Sequence, residues 1–138
     1  MDIVTLQIQL SGWHRGAHAW SRVIEIPEDA SLDELHYTIQ DLIGFDNDHL
    51  YEFFAGRTSR HRKIEFGEPA SSLEDSSYGS ILLSDVFPLD RLKLYYRFDF
   101  GDSWLFEITR RRGKKSPGTS VKYPKVIEKT GRNPSQYG

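Results

Sequence analysis

The sequence contains no cysteine, which excludes a disulfide framework, a thiol nucleophile and metal sites built from thiolates. No apolar run approaches the roughly 20 residues that a membrane-spanning helix needs. The N-terminus lacks the basic start of a signal peptide, so we expect a cytoplasmic protein with no membrane partner. The P-loop, the nucleophile elbow, the HExxH zinc motif and the dinucleotide fingerprint are also absent. We therefore expect no cofactor and no resident metal, and a binding protein rather than an enzyme.

The length and the composition of the chain are typical of one globular domain. The chain has 138 residues, of which 38% are hydrophobic and 28% are charged. A domain of this length buries about two-thirds of the surface that its unfolded chain exposes, so a core forms without covalent cross-links.

The formal net charge of -2 conceals an uneven distribution. Residues 1–109 hold 19 acidic and nine basic residues, whereas residues 110–138 hold one acidic and nine basic residues. We divide the chain into a body over residues 1–112 and a basic C-terminal segment over residues 113–138, docked on the same single domain. Two interpretations of this segment stay open: it folds against the acidic body, or it binds a polyanion such as a nucleic acid.

One helix is clearly indicated over residues 32–43. Ser31 is a good N-cap, Glu34 completes a capping box, and Gly44 is a suitable C-cap. Apolar residues recur between them at helical spacing, which predicts one face packed on a core.

Alternating apolar and polar residues predict the strands. The clearest run, over residues 92–100, is followed by a Gly101 turn and a second run that begins at Trp104, which together predict a hairpin. A glycine-containing connection is expected over residues 11–18, and a loop over residues 67–80. The other predicted elements are strands at 4–10, 20–26, 49–55 and 63–66, a short helix at 82–87 and one short strand near the C-terminus. We expect an α+β fold with an antiparallel or mixed sheet and one main helix on one face, with an opening order similar to a β-grasp.

Five segments in this order resemble the plasmid pRiA4b ORF-3-like family. They are residues 19–27, 31–53, 82–87, 95–108 and 123–134, and the aromatic Asp-Phe-Gly-Asp-Ser-Trp segment is the most specific of them. The resemblance implies a fold and an association with plasmids and other mobile elements, but no established activity. Members often carry cysteines in the last segment, where this chain has Lys125, Lys129 and Arg132 instead.

Two groups of residues are weak candidates for catalysis. Asp99 and Asp102 flank the predicted hairpin turn, and paired carboxylates bind hard cations or act in acid–base chemistry. His36 and His49 lie on the helix and at the start of the next strand, from which two imidazoles could converge. The structural alternative is favoured for both groups: aspartates stabilise tight turns, and a histidine at the margin of a core is more often hydrogen-bonded than catalytic.

The basic run is the candidate nucleic-acid-binding site. Phosphate contacts from such a run release counterions and make binding sensitive to salt. The opposite face of the predicted hairpin, with Tyr95 and Arg97, would suit a protein partner. The leading hypothesis is a small binding or interaction module, with nucleic-acid binding and a small metal-dependent or acid–base enzyme as alternatives. The residues proposed for nucleic-acid binding are Arg110, Arg111, Arg112, Lys114 and Lys115.

Overall fold

The computed structural model describes residues 1–11, 19–67 and 77–136. The connection predicted at residues 11–18 therefore lies almost wholly outside the described residues, as do residues 68–76 of the predicted loop. The strands are β1 (Ile3–Ser11), β2 (Ser21–Pro27), β3 (Tyr51–Gly56), β4 (Arg62–Phe66), β5 (Lys93–Phe98), β6 (Trp104–Arg110) and β7 (Lys125–Thr130). The helices are α1 (Leu32–Ile43) and the four-residue α2 (Leu83–Val86), with a 3-10 turn at Tyr78–Ser80.

Within the described residues, the strands form one seven-stranded sheet in the order β4-β3-β5-β6-β1-β2-β7. Every pairing between these strands is antiparallel. The predicted α+β class with a main helix is thus confirmed, and the choice left open between an antiparallel and a mixed sheet falls on antiparallel. The likeness to a β-grasp stays a prediction.

The main helix begins and ends where its caps predict. The Ser31 hydroxyl accepts a hydrogen bond of 3.1 Å from the Glu34 backbone N–H, and Gly44 ends α1 with a φ of 76°, a left-handed conformation that glycine adopts without strain. Leu35 and Ile39 on the inner face of α1 are fully buried.

The core lies between this helix and one face of the sheet. Alternation along the predicted hairpin places Tyr96 and Phe98 of β5 and Phe106 of β6 in the core, each with no exposed surface. Aromatic rings pack there edge to face, as for Trp20 and Phe106, whose centroids are 5.7 Å apart at 73°.

The prediction of a loop over residues 67–80 was wrong for its last three residues. Tyr78–Ser80 forms a 3-10 turn, and Tyr78 is 1% exposed. Its hydroxyl accepts a hydrogen bond from the Phe53 backbone N–H, so this segment is fixed to β3. Because the surrounding residues are mostly Gly, Ser and acidic, the local sequence did not predict that Tyr78 is buried in the core.

A buried arginine attaches the C-terminal segment to the sheet. Arg22 on β2 is 2% exposed and donates hydrogen bonds to the carbonyls of Thr130 and Gly131 and to the Asn133 side chain, at 2.6–3.0 Å. Asn133 also accepts from the Trp20 indole N–H at 2.7 Å. We call Arg22 and these partners the arginine clamp. Within the described residues, no helix is long and apolar enough to cross a membrane.

Replacing the clamp residue tests its contribution to stability. Arg22→Met keeps an unbranched side chain but removes the buried guanidinium that bonds the Thr130 and Gly131 carbonyls, and we expect a loss of about 3 kcal/mol in the free energy of unfolding. Urea denaturation measures this loss, and faster tryptic cleavage at Lys125 and Lys129 would report release of β7. The exposed Arg60→Met is the control, with an expected change within about 0.5 kcal/mol. A loss from Arg22→Met no larger than that of the control would contradict the clamp.

Candidate functional site

His36 lies beneath α1 in a closed ring of hydrogen bonds. The Tyr96 hydroxyl donates to its Nδ1 at 2.5 Å, and its Nε2 donates to Oδ1 of Asn47 at 2.5 Å. The Asn47 backbone N–H donates to Oε1 of Gln40 at 3.0 Å, and Nε2 of Gln40 donates to the Tyr96 hydroxyl at 3.0 Å. Since Oδ1 of Asn47 only accepts, the neutral imidazole carries its proton on Nε2. We call these four residues the His36 ring.

The environment of the His36 ring keeps it uncharged. His36 is 1% exposed and stacks on Tyr51 with centroids 3.6 Å apart. Burial lowers the pKa of His36 to about 4, although the hydrogen bond to Asn47 and the charge of Asp33 act in the opposite direction. Burial also raises the pKa of Tyr96 well above its ordinary value. At neutral pH both ring nitrogens are engaged, so His36 holds the helix on the sheet and presents no polar atom to a substrate.

The other weak catalytic candidates lie at or near the hairpin turn, and the side chains of His49 and Asp99 are in contact there. Asp99 has a φ of 62°, and its Oδ1 accepts hydrogen bonds from the backbone N–H groups of Gly101 and Asp102 at 3.1 and 3.3 Å. Nε2 of His49 lies 3.4 Å from the other oxygen of Asp99 and 3.6 Å from Asp48. The structure therefore brings His49 and Asp99 into contact, while the Asp102 side chain is exposed.

Asp99 performs the turn function that the sequence favoured. A carboxylate that accepts two successive backbone N–H groups stabilises a tight turn. His36 does not join His49 and Asp99, since both nitrogens of His36 are bonded to Tyr96 and Asn47. Among the residues in the described ranges, no three His, Asp or Glu side chains are arranged to hold a metal ion.

The outer face of the hairpin is largely occupied by its own contacts. Tyr95 is 3% exposed and stacks on Phe54. Glu52 accepts hydrogen bonds from both Arg62 and Arg97 at 2.6–3.0 Å. Burial alone would raise the pKa of Glu52, but the bonds and charges of the two arginines outweigh it and hold this pKa below its ordinary value. The side chains of this face thus make contacts with other residues of the sheet, which leaves less of them available to a protein partner.

Three of the five basic candidates form ion pairs with acidic side chains. Nζ of Lys115 lies 2.6 Å from Glu25, and Lys114 lies 3.4 Å from Asp2 and 3.7 Å from Glu28. A further pair joins Arg111 to Glu128 on β7 at 3.0 Å. These cations face acidic groups of the sheet and of the first residues.

The remaining two candidates, Arg110 and Arg112, line clefts on the protein surface, which the ion-paired Arg111 and Lys114 also line. One cleft of about 330 Å³ lies between β1, α2 and β6, and a second of about 610 Å³ lies between the segment that follows α2 and the end of β6. Phe87, Pro88 and Arg110 line both clefts. Nε of Arg110 is buried and has no hydrogen-bond partner among the described residues. We call the two clefts together the arginine clefts.

The charge of the arginine clefts is predominantly positive. Asp90 and Glu28 are the acidic residues among their lining residues, and Glu28 is near Lys114. In the part of the chain that the structure describes, three arginines of the clefts have no carboxylate within 4 Å. These are Arg91, Arg110 and Arg112.

Sequence reasoning missed two parts of this site. Arg91 stands outside the basic run, and only the fold brings it beside Arg112 in one cleft. Phe87 was read as the end of a helix and not as a lining residue. Neither residue carries a local signal, because their proximity to β6 arises from contacts distant in the sequence.

The His36 ring predicts a stability that depends on pH. The unfolded chain binds a proton at His36 near pH 6.5, whereas the folded chain does so only near pH 4. Stability from this group is therefore full above pH 6.5 and is lost as the pH falls toward 4. Between pH 7.5 and pH 5.0 we expect a loss of about 2 kcal/mol, measured by urea denaturation.

His36→Phe keeps the stacked ring but removes the titrating group. We expect this variant to be less stable at pH 7.5 and to lose about 2 kcal/mol less than the parent on acidification to pH 5.0. His61→Gln, which changes an exposed histidine, is the control and should retain the full pH dependence. Equal pH dependence in parent and His36→Phe would contradict a neutral buried imidazole.

The chain is similar to uncharacterised proteins from bacteria and archaea. It is 32% identical over 118 residues to "Uncharacterized protein y4hQ" of Sinorhizobium fredii, an alignment that covers 83% of this chain. The chain spans 57% of the length of that relative. A crystal structure of a protein of unknown function, MM3350 from Methanosarcina mazei Go1, matches 98% of this chain and 72% of its own, with a TM-score of 0.73 and 23% identity. That likeness shows a shared fold.

The family itself is shown by the match along nearly the whole chain. Residues 2–136 match the family described as "Plasmid pRiA4b ORF-3-like protein". The match includes β1, the arginine clamp, the His36 ring and the arginine clefts. This chain belongs to the plasmid pRiA4b ORF-3-like family.

Proposed function

We propose that this protein is a binding module, without a catalytic centre of its own, that holds a nucleic acid in the arginine clefts. The observation that carries this proposal is the set of three guanidinium groups, Arg91, Arg110 and Arg112, that line concave surface without a carboxylate partner in the described residues. Guanidinium groups bind phosphate oxygens in a planar, charge-assisted arrangement.

The division of the basic run supports a site at these clefts. Arg111, Lys114 and Lys115 are already opposed by Glu128, Asp2 and Glu25. A phosphate that approached them would have to lie beside a carboxylate. Arg110 and Arg112 make no such ion pair among the described residues, so a phosphate gains their full attraction.

The same ion pairs support one domain rather than two. On this proposal, residues 113–138 dock on the body of residues 1–112 through the arginine clamp and through Lys114 and Lys115. The basic segment then serves as part of the folded domain, with Arg110 and Arg112 positioned at its start. A cytoplasmic location is part of the proposal, because a nucleic-acid ligand is found there.

An acid–base enzyme has less support from the geometry. His36 is buried with both nitrogens bonded to the protein, and Asp99 is engaged by the backbone of its own turn. Neither group lines the arginine clefts, so a bound phosphate would meet neither His36 nor Asp99.

Neutralising the three arginines tests the proposed function. The full chain is titrated against a fluorescent 20-nucleotide single strand and a 20-base-pair duplex at 50 and 200 mM salt, with anisotropy as the readout. We expect the Arg91→Gln, Arg110→Gln, Arg112→Gln triple variant to bind at least tenfold more weakly at 50 mM salt. The slope of log affinity against log salt should fall by about 2 if each arginine contacts one phosphate, since each contact in a single strand contributes about 0.7.

The matched control removes three other cations and so gives the same change in net charge. Lys63→Gln, Lys122→Gln and Lys129→Gln are exposed positions outside the arginine clefts, and we expect less than a threefold loss. Equal losses in the two triple variants would show that binding follows net charge and not this site. Absence of binding of both oligonucleotides at 50 mM salt would overturn the proposed function.

A further inference from the structure

We infer that the nucleic acid held in the arginine clefts is single-stranded, an inference that rests on the proposed function and names its ligand. The shape of the site, the absence of a helix suited to reading a duplex in the described residues and the apolar junction between the clefts all bear on it.

The basic groups lie inside concavities. Clefts of about 330 and 610 Å³ have the volume of sites that enclose small organic ligands. A single nucleotide is a ligand of that size, whereas a duplex presents its phosphates on the outside of a cylinder. A protein that reads a duplex usually inserts a protruding helix or β-ribbon into the major groove, which is about 12 Å wide.

No helix of the described residues is suited to such insertion. The first turn of α1 contains Asp33 and Glu34, and its last turn contains no basic residue. The second helix, α2, has four residues. Both helices therefore lack the basic surface that would follow a duplex backbone.

An aromatic side chain marks the junction of the clefts. Phe87 and Pro88 line both of them beside Arg110, and Phe87 is only partly buried against the core. Leu89 and Leu92 continue this apolar surface along the larger cleft. An unpaired base can stack on such a surface while its flanking phosphates reach arginines on either side. Bases within a duplex are already stacked and cannot do so without being unpaired.

The first test compares the two forms of the nucleic acid. The full chain is titrated with a 20-nucleotide oligo(dT) and with a 20-base-pair duplex at 100 mM salt, and each form is used as an unlabelled competitor for the other. We expect the single strand to bind at least tenfold more tightly. Equal or tighter binding of the duplex would overturn this inference and leave the proposed function intact, whereas no binding of either form would overturn both.

The second test changes the aromatic residue without changing charge. Phe87→Leu should weaken oligo(dT) binding about tenfold, since stacking of one base on an aromatic ring contributes about 1–3 kcal/mol, with an unchanged salt slope. Phe87→Tyr keeps the ring and should retain binding, which separates lost stacking from lost folding. Phe100→Leu removes an exposed ring elsewhere and is the control. Full binding by Phe87→Leu, or equal weakening by Phe87→Tyr, would contradict a stacking role.

Discussion

Four polar side chains meet beneath the main helix, and three of them, His36, Gln40 and Tyr96, are almost fully buried. Each buried donor or acceptor left unpaired there would cost about 1–3 kcal/mol, so the His36 ring favours one position of α1 on β5 over its neighbours. The ring also fixes Asn47 in the loop after α1. Gln136, near the far end of the chain, bonds to Asp46 and Asp48 in that loop. The placement of the helix, of the loop and of the last residues thus depends on one set of hydrogen bonds.

Local patterns predicted the elements of the fold but not its buried polar contacts. The alternation that begins at residue 92 and the cap at Ser31 act over a few residues, and both were read correctly. The partner of His36 on the sheet, Tyr96, lies 60 residues away, at a distance that only the strand order determines. Arg22 stands between Ser21 and Val23 on a predicted strand, and nothing in that local pattern indicates that it is buried. It is buried because β7 and Asn133 cover it.

The sequence predicted most of the basic residues of the candidate site, but it did not predict the clefts that they line. The sequence shows nine basic residues after residue 109. It does not show which acidic group, if any, each of them contacts in the fold. Because β6 pairs with β1, and β1 with β2, the residues that follow β6 run beside Glu25, the acidic residue of β2. Lys115 thereby reaches Glu25. The two interpretations of the basic segment are consequently not exclusive, since three of its cations pair with acidic groups and, on the proposed function, Arg110 and Arg112 bind the polyanion.

Exposed ion pairs contribute little to stability, about 0–1 kcal/mol each, yet they decide where an anion can bind. A phosphate that displaces Glu25 from Lys115 gains one attraction and places two like charges side by side. The acidic body, with 19 acidic and nine basic residues before position 110, has a net negative charge that repels a polyanion. On the proposed function, attraction is strongest where several cations that no carboxylate opposes line one concave surface. On this proposal, a protein of small net charge holds a strongly charged polymer in this way, because affinity follows the local field of Arg91, Arg110 and Arg112 and not the net charge of the chain.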